Sequence, residues 1–178
     1  DRSELDKFAS DPSFTLVEAH AADFLQALIA GVEAPAQQRF ADWVGKCSHW
    51  REKYPFVDPV GLHKEEGGML NSYSFIKELN RHFAPDEIIV TDMGTALTCT
   101  HQVIEVKDRQ RVVTSTGLGE MGYGLPGAIG ASLAANHQRV ILITGDGSML
   151  MNLQELQTII HHGLPIKLFV YINDGYLT

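Results

Sequence analysis

An Asp and an Asn, each placed at the end of a predicted parallel strand and one βαβ unit apart, are the residues of this chain best suited to hold a hard cation. Asp146 lies in Gly145-Asp146-Gly147-Ser148, directly after the apolar run Val140-Ile141-Leu142-Ile143, and Asn173 follows a second predicted strand over 167–172. The segment 152–161 between them has helical periodicity. Both side chains therefore fall at carboxyl ends of strands, where open α/β sheets bind ligands. A helix opening just after Gly147 would turn unpaired N–H groups and a positive dipole end toward an anion. Mg2+ suits such a pair, because it takes one or two carboxylates and completes its octahedron with phosphate oxygens and water. Taken alone, Gly-Asp-Gly is an ordinary polar turn. The rest of the chain decides between the two.

Asn152, Gln154-Glu155-Leu156, Leu164-Pro165 and Asn173-Asp174-Gly175-Tyr176 accompany that turn. Together they resemble the thiamine-diphosphate signature of the acetolactate synthase and pyruvate decarboxylase superfamily. Upstream, Ser115-Thr116-Gly117-Leu118-Gly119-Glu120-Met121-Gly122-Tyr123-Gly124-Leu125-Pro126 resembles the segment that holds the aminopyrimidine ring in those enzymes, and acetolactate synthases match it most closely. The two blocks stand in the family's order and at its spacing, and the likeness runs from about Leu70 to the end of the chain.

The resemblance implies an enzyme dependent on thiamine diphosphate and Mg2+ that attacks a 2-oxo acid, releases CO2 and passes the acyl-anion equivalent to an acceptor. Simple decarboxylation, oxidation, C–C lyase cleavage and a non-catalytic binding role are the alternatives. It implies Asp146, the Asn173 side chain and the Gly175 carbonyl as metal ligands, with Gly145, Gly147 and Ser148 on the diphosphate. Gly94, Thr95 and Ala96 resemble a second phosphate-side turn, although a plain helix-entry turn reads equally well there. Acetolactate synthases usually carry Gln and His after that glycine, where this chain has Thr95-Ala96-Leu97. The Gly119 carbonyl would accept a hydrogen bond from the cofactor's amino group, and Met121 would pack between its two rings to orient them. Without these neighbours Met121 would read as a core methionine. Glu120 stands where acetolactate synthases often have Thr, and no role follows for it. The family's activating glutamate comes from an N-terminal domain of a partner subunit, so no catalytic residue is expected within this chain. A homodimer or homotetramer with the cofactor at a subunit interface is implied, and FAD binding is left open.

Gly117, Gly119 and Gly122 also spell G-x-G-x-x-G, the dinucleotide fingerprint. That motif needs a strand running into its first glycine and an acidic residue about 20 positions on. Here Thr114-Ser115-Thr116 intervene, and Asn136, His137 and Gln138 stand near the required distance. A nicotinamide site is disfavoured.

The elements that must position these residues alternate. Asn71 is expected to cap a helix over 73–83, followed by a strand at Ile88-Ile89-Val90, a turn at Asp92-Met93-Gly94, a helix through Thr100, a strand at Arg111-Val112-Val113 and a helix over 128–135. Such alternation predicts an α/β fold with a doubly wound parallel sheet and right-handed crossovers. Ahead of it, Phe14-Thr15-Leu16-Val17 reads as extended. Phe24, Leu25, Leu28 and Ile29 share one face of a helix over 21–29, and a longer helix over 35–54 places Trp43 and Trp50 on one face. Residues 55–68, rich in Pro and Gly, are the expected linker. Joined to this pattern, the resemblance implies the tail of a central domain plus a helical linker in 1–68 and a diphosphate-binding domain, incomplete at its C-terminus, in 69–178.

A net charge of −8 over 178 residues, with no Lys/Arg block, argues against nucleic acid as a partner. No uncharged stretch is long and apolar enough for a membrane span. There is no initiator Met and no targeting motif, and Cys47 and Cys99 fall in unrelated segments, read as reduced thiols of a cytoplasmic protein. His161 and His162 are adjacent on a helix and are not expected to share a metal.

Overall fold

Continuous apolar runs mark strands covered on both faces, and β1 (Ile88–Thr91) and β3 (Val140–Gly145) are buried along nearly their whole length. The structure is a computed structural model and describes residues 2–32, 40–57 and 68–176. β2 (Arg111–Val113) and β4 (Ile166–Tyr171) complete a four-stranded, all-parallel sheet in the order β2-β1-β3-β4. Successive side chains of a strand point to opposite faces, and the two cores follow from that. Ile89, Ile141 and Ile143 pack with Ile76, Phe83 and Ala96 on one face. Ile88, Val90, Val140 and Leu142 pack with Leu125 and Ala128 on the other. Helices α4 (Ser72–Arg81) and α5 (Thr95–Val103) supply the first layer, α6 (Gly124–Ala134) the second. The expected doubly wound α/β fold is therefore present.

Two helices begin or break where spacing alone did not place them. α6 starts at Gly124, not at Ala128, because Pro126 fits a first turn whose N–H groups have no intrahelical acceptor. The helix expected over 152–161 begins only at Glu155, as α8 (Glu155–His162), and a separate short helix, α7 (Asp146–Leu150), precedes it. Between them the backbone tightens into i→i+3 hydrogen bonds such as Asn152 N to Met149 O at 3.2 Å and Glu155 N to Asn152 O at 2.9 Å. The His161 and His162 rings meet edge to face at 4.9 Å.

Asn71 caps α4 as expected, its Oδ1 accepting from Ser74 N at 3.1 Å. Asn71→Ala should cost about 1 kcal/mol of stability, read as a lowered denaturation midpoint with an unchanged slope; Asn71→Ser should restore most of it. At the amino ends of β1 and β3, buried Glu87 accepts from Arg139 through both Nε, at 2.9 Å, and Nη2. That pairing holds the Arg139 guanidinium above its usual range.

The chain divides into two compact units, residues Asp1–Lys53 and Tyr54–Thr178. The first contains α1 (Arg2–Asp6), α2 (Ala21–Gly31) and α3 (Ala41–Lys53), none with a buried residue. Within α3, Trp43 and Trp50 pack as expected, edge to face at 5.9 Å. Pro35, expected in the first turn of that helix, and most of the linker expected over 55–68 lie outside the described residues. Among the described residues no helix is long and apolar enough to cross a membrane. Cys47 is exposed and Cys99 buried, and neither forms a disulfide.

Candidate functional site

β1 and β3 are sheet neighbours, yet the chain leaves β1 for β2 and then crosses to the other side of β1 to form β3. Such a reversal opens a crevice at the strands' carboxyl ends, where doubly wound sheets take ligands. Three turns meet there. Gly94, after β1, has φ 72° and ψ −141°, a backbone conformation that L side chains rarely adopt, and it begins α5 without a side-chain cap. Gly145, the last residue of β3, begins α7 with none either. After β4, Asp174 takes φ 58°, a left-handed value that Asp tolerates better than most residues. The chain so turned brings Asn173 and Gly175 to one cavity.

That cavity, of about 50 Å3, is lined by Gly94, Thr95, Ala96, Met121, Gly145, Asp146, Gly147, Ser148, Asn173 and Gly175, together with Met93, Tyr171 and Tyr176. Of the residues singled out in the sequence, Gly119 stands outside the lining. A Cβ there would lie 3.9 Å from the sulfur of Met93, which does line it. The room suits a cation with a water or a phosphate oxygen, at about 30 Å3 per water. It is far below the roughly 300–1,000 Å3 that encloses a whole organic ligand. Cavities of about 410 and 440 Å3 lie beside Arg109 and Arg111 and beside Phe169, but neither contains Asp146. Donor chemistry, not volume, selects the small one.

Among the described residues, Asp146 is the only carboxylate in that lining. Its Oδ1 accepts from Gly147 N at 2.8 Å, which fixes the side chain against its own turn. Among the described residues no group of three or more His, Cys, Asp or Glu could hold a metal. A cation here would rest on one carboxylate, an amide oxygen, a backbone carbonyl and oxygens of its ligand. That hard donor set fits Mg2+ and does not suit a soft metal. Partly buried Tyr171 contributes a neutral phenol, since burial, with Cys99 adding, pushes its pKa far above the usual value. Glu120 is exposed, and the Ser115 hydroxyl, donating at 2.6 Å, holds its carboxyl below the usual range.

Two residues carry more of the site than their sequence context suggested. Asp92, expected as a turn residue, is wholly buried and accepts four hydrogen bonds. Its Oδ1 takes Met93 N at 2.9 Å and Gly122 N at 3.1 Å; its Oδ2 takes Gly124 N at 3.0 Å and Thr144 Oγ1 at 3.1 Å. From the other side, Asn152 Nδ2 donates to the Gly122 carbonyl at 2.7 Å. Gly122 itself has φ 89°, and a Cβ would lie 2.9 Å from that of Met151. The one available signal for Asp92 was an acid two positions beyond the last residue of the apolar run Ile88-Ile89-Val90; Asn152 gave only its place in a motif.

Residues 92–178 match the family model described as thiamine pyrophosphate enzyme, C-terminal TPP binding domain. The chain is also similar to the acetolactate synthase large subunit of Parasynechococcus marenigrum, with 34% identity over 142 residues, covering 80% of this chain and 22% of that protein. The acetolactate synthase isozyme 1 large subunit of Escherichia coli is 33% identical over 175 residues, 98% of this chain and 29% of its own. The isozyme 2 large subunit of the same organism is 32% identical over 150 residues, 84% and 26%. The chain spans about a quarter of the length of the curated relatives it matches.

Proposed function

Residues 92–178 belong to the thiamine pyrophosphate enzymes as their C-terminal TPP-binding domain, and from that premise we propose that this chain supplies the diphosphate and metal half of an acetolactate synthase-like site. The observation that carries the reading is the single small cavity in which Asp146, Asn173 and Gly175 meet the uncapped turns at Gly94 and Gly145. When bound, thiamine diphosphate supplies the electron sink for a 2-oxo acid that loses CO2. The chain's own residues do the rest. Asp146 holds Mg2+ by charge, while Asn173 and Gly175 add neutral oxygens. Gly147 and Ser148 keep the start of α7 open to phosphate oxygens, and Gly94, Thr95 and Ala96 close the opposite wall. Met121 sets the orientation of the ligand, and the Gly119 carbonyl offers an acceptor beyond the cavity. The domain boundary at 68/69, a subunit-interface site in a homodimer or homotetramer, and a cytoplasmic location belong to the same reading.

Incubating the protein that carries this chain with pyruvate, thiamine diphosphate and Mg2+ should give CO2 and acetolactate, the product of transfer to a second pyruvate. Acetaldehyde or acetate as the main product would move the assignment to a decarboxylase or an oxidase. No turnover together with no thiamine diphosphate binding would defeat it.

A further inference from the structure

The buried carboxylate of Asp92 joins three segments that are distant in sequence and adjacent at the site: the turn into α5, the glycine-rich stretch 117–124, and the end of β3 just before Gly145. A carboxylate accepts only, with two oxygens and about four lone-pair sites. Here all four are matched to donors, two of them amides flanking Tyr123. The stretch is gripped from the opposite side as well, where Asn152 holds the Gly122 carbonyl. Gly122 is thus pinned at both its N–H and its C=O, one residue after Met121, and Met121 lines the cavity with Asp146.

We propose that Asp92 is a positioning residue that holds residues 119–121 in register with the turn carrying Asp146, so that one ligand can engage both. This rests on the cofactor site argued under Proposed function. The physical basis is preorganisation: a ligand that spans two segments binds well when their spacing is set before it arrives. A ligand that touches one segment gains nothing from that spacing. Asp92→Asn keeps the volume but offers one oxygen and one NH2 group. With its oxygen toward Met93 and Gly122, the amide of Gly124 faces a donor, and no partner replaces the lost acceptor. The Thr144 hydroxyl, by contrast, can turn to the Gly145 carbonyl at 3.2 Å.

The test compares two probes by calorimetry with Mg2+ present: thiamine diphosphate, which reaches both segments, and inorganic pyrophosphate, competing for the diphosphate end alone. Asp92→Asn should weaken thiamine diphosphate at least ~10-fold, the scale of an outer-shell substitution, and leave pyrophosphate within about twofold. Asn152→Ala, which frees the Gly122 carbonyl from the other side, should show the same split and carries the test if the Asp92 variant does not fold. Equal weakening of both probes, as general loosening of the fold would give, overturns the proposal. So does no change in either. Failure of the unsubstituted protein to bind thiamine diphosphate, or of pyrophosphate to compete, would instead defeat the site assignment, and the role of Asp92 with it.

Discussion

Asp146→Ala should abolish Mg2+-dependent binding of thiamine diphosphate to the protein that carries this chain, whereas Asn173→Ala should only weaken it. The difference follows from charge. Among the described residues Asp146 is the only carboxylate in the cavity lining, and Mg2+, which gives up its hydration reluctantly, is held by carboxylates and phosphate oxygens more than by neutral donors. The expected loss is at least ~100-fold for Asp146→Ala and about tenfold for Asn173→Ala, since even outer-shell changes at metal sites cost 10–100-fold. Removing the Asp146 side chain also frees Gly147 N from its 2.8 Å acceptor. That group lies at a helix start where such losses cost about 0.3–1 kcal/mol, so the melting temperature should barely move. Calorimetry with and without Mg2+ separates the effects: a folded Asp146→Ala protein with unchanged affinity would show that the cavity is not the metal site.

The parallel sheet was legible because buried strands need continuous apolar runs, and Ile88-Ile89-Val90 and Val140-Ile141-Leu142-Ile143 are such runs. The cavity lining was legible for a related reason. Motif residues at strand ends must converge once the strand order has a switch point. Helix limits were less so. The break between α7 and α8 depends on i→i+3 bonding around Asn152, whose side chain is engaged with Gly122, thirty positions earlier in the chain. Asp92 shows the limit most clearly. Turn chemistry explains an Asp before Met-Gly as well as burial does, and its partners at Gly122, Gly124 and Thr144 exist only after the crossovers have formed. Local pattern could report that an acid ended the strand; it could not report which amides would surround it.

Gly124 and Gly147 should respond very unequally to the same added methyl group, and the contrast tests whether the Asp92 cluster is rigid. A Cβ at Gly124 would stand 2.6 Å from Asp92 Oδ2, 3.0 Å from Leu142 Cδ1 and 3.1 Å from the Asp92 Cβ. Neither neighbour can give way, since Asp92 and Leu142 are both wholly buried and the carboxylate is tied by four hydrogen bonds. Overpacking of about 1–3 kcal/mol adds to a weakened amide at Gly124 worth about 1–3 kcal/mol. Gly124→Ala should therefore destabilise the protein by about 2–6 kcal/mol, a large share of a typical domain's stability. A Cβ at Gly147 would overlap the ring of Tyr176, but that ring is 72% exposed and can swing away. Gly147 also lies inside α7, where Ala is preferred to Gly by about 0.5–1 kcal/mol. Gly147→Ala should be close to neutral in urea denaturation. Equal losses for the two variants would mean that the buried carboxylate yields as readily as an exposed ring, and that Asp92 fixes nothing.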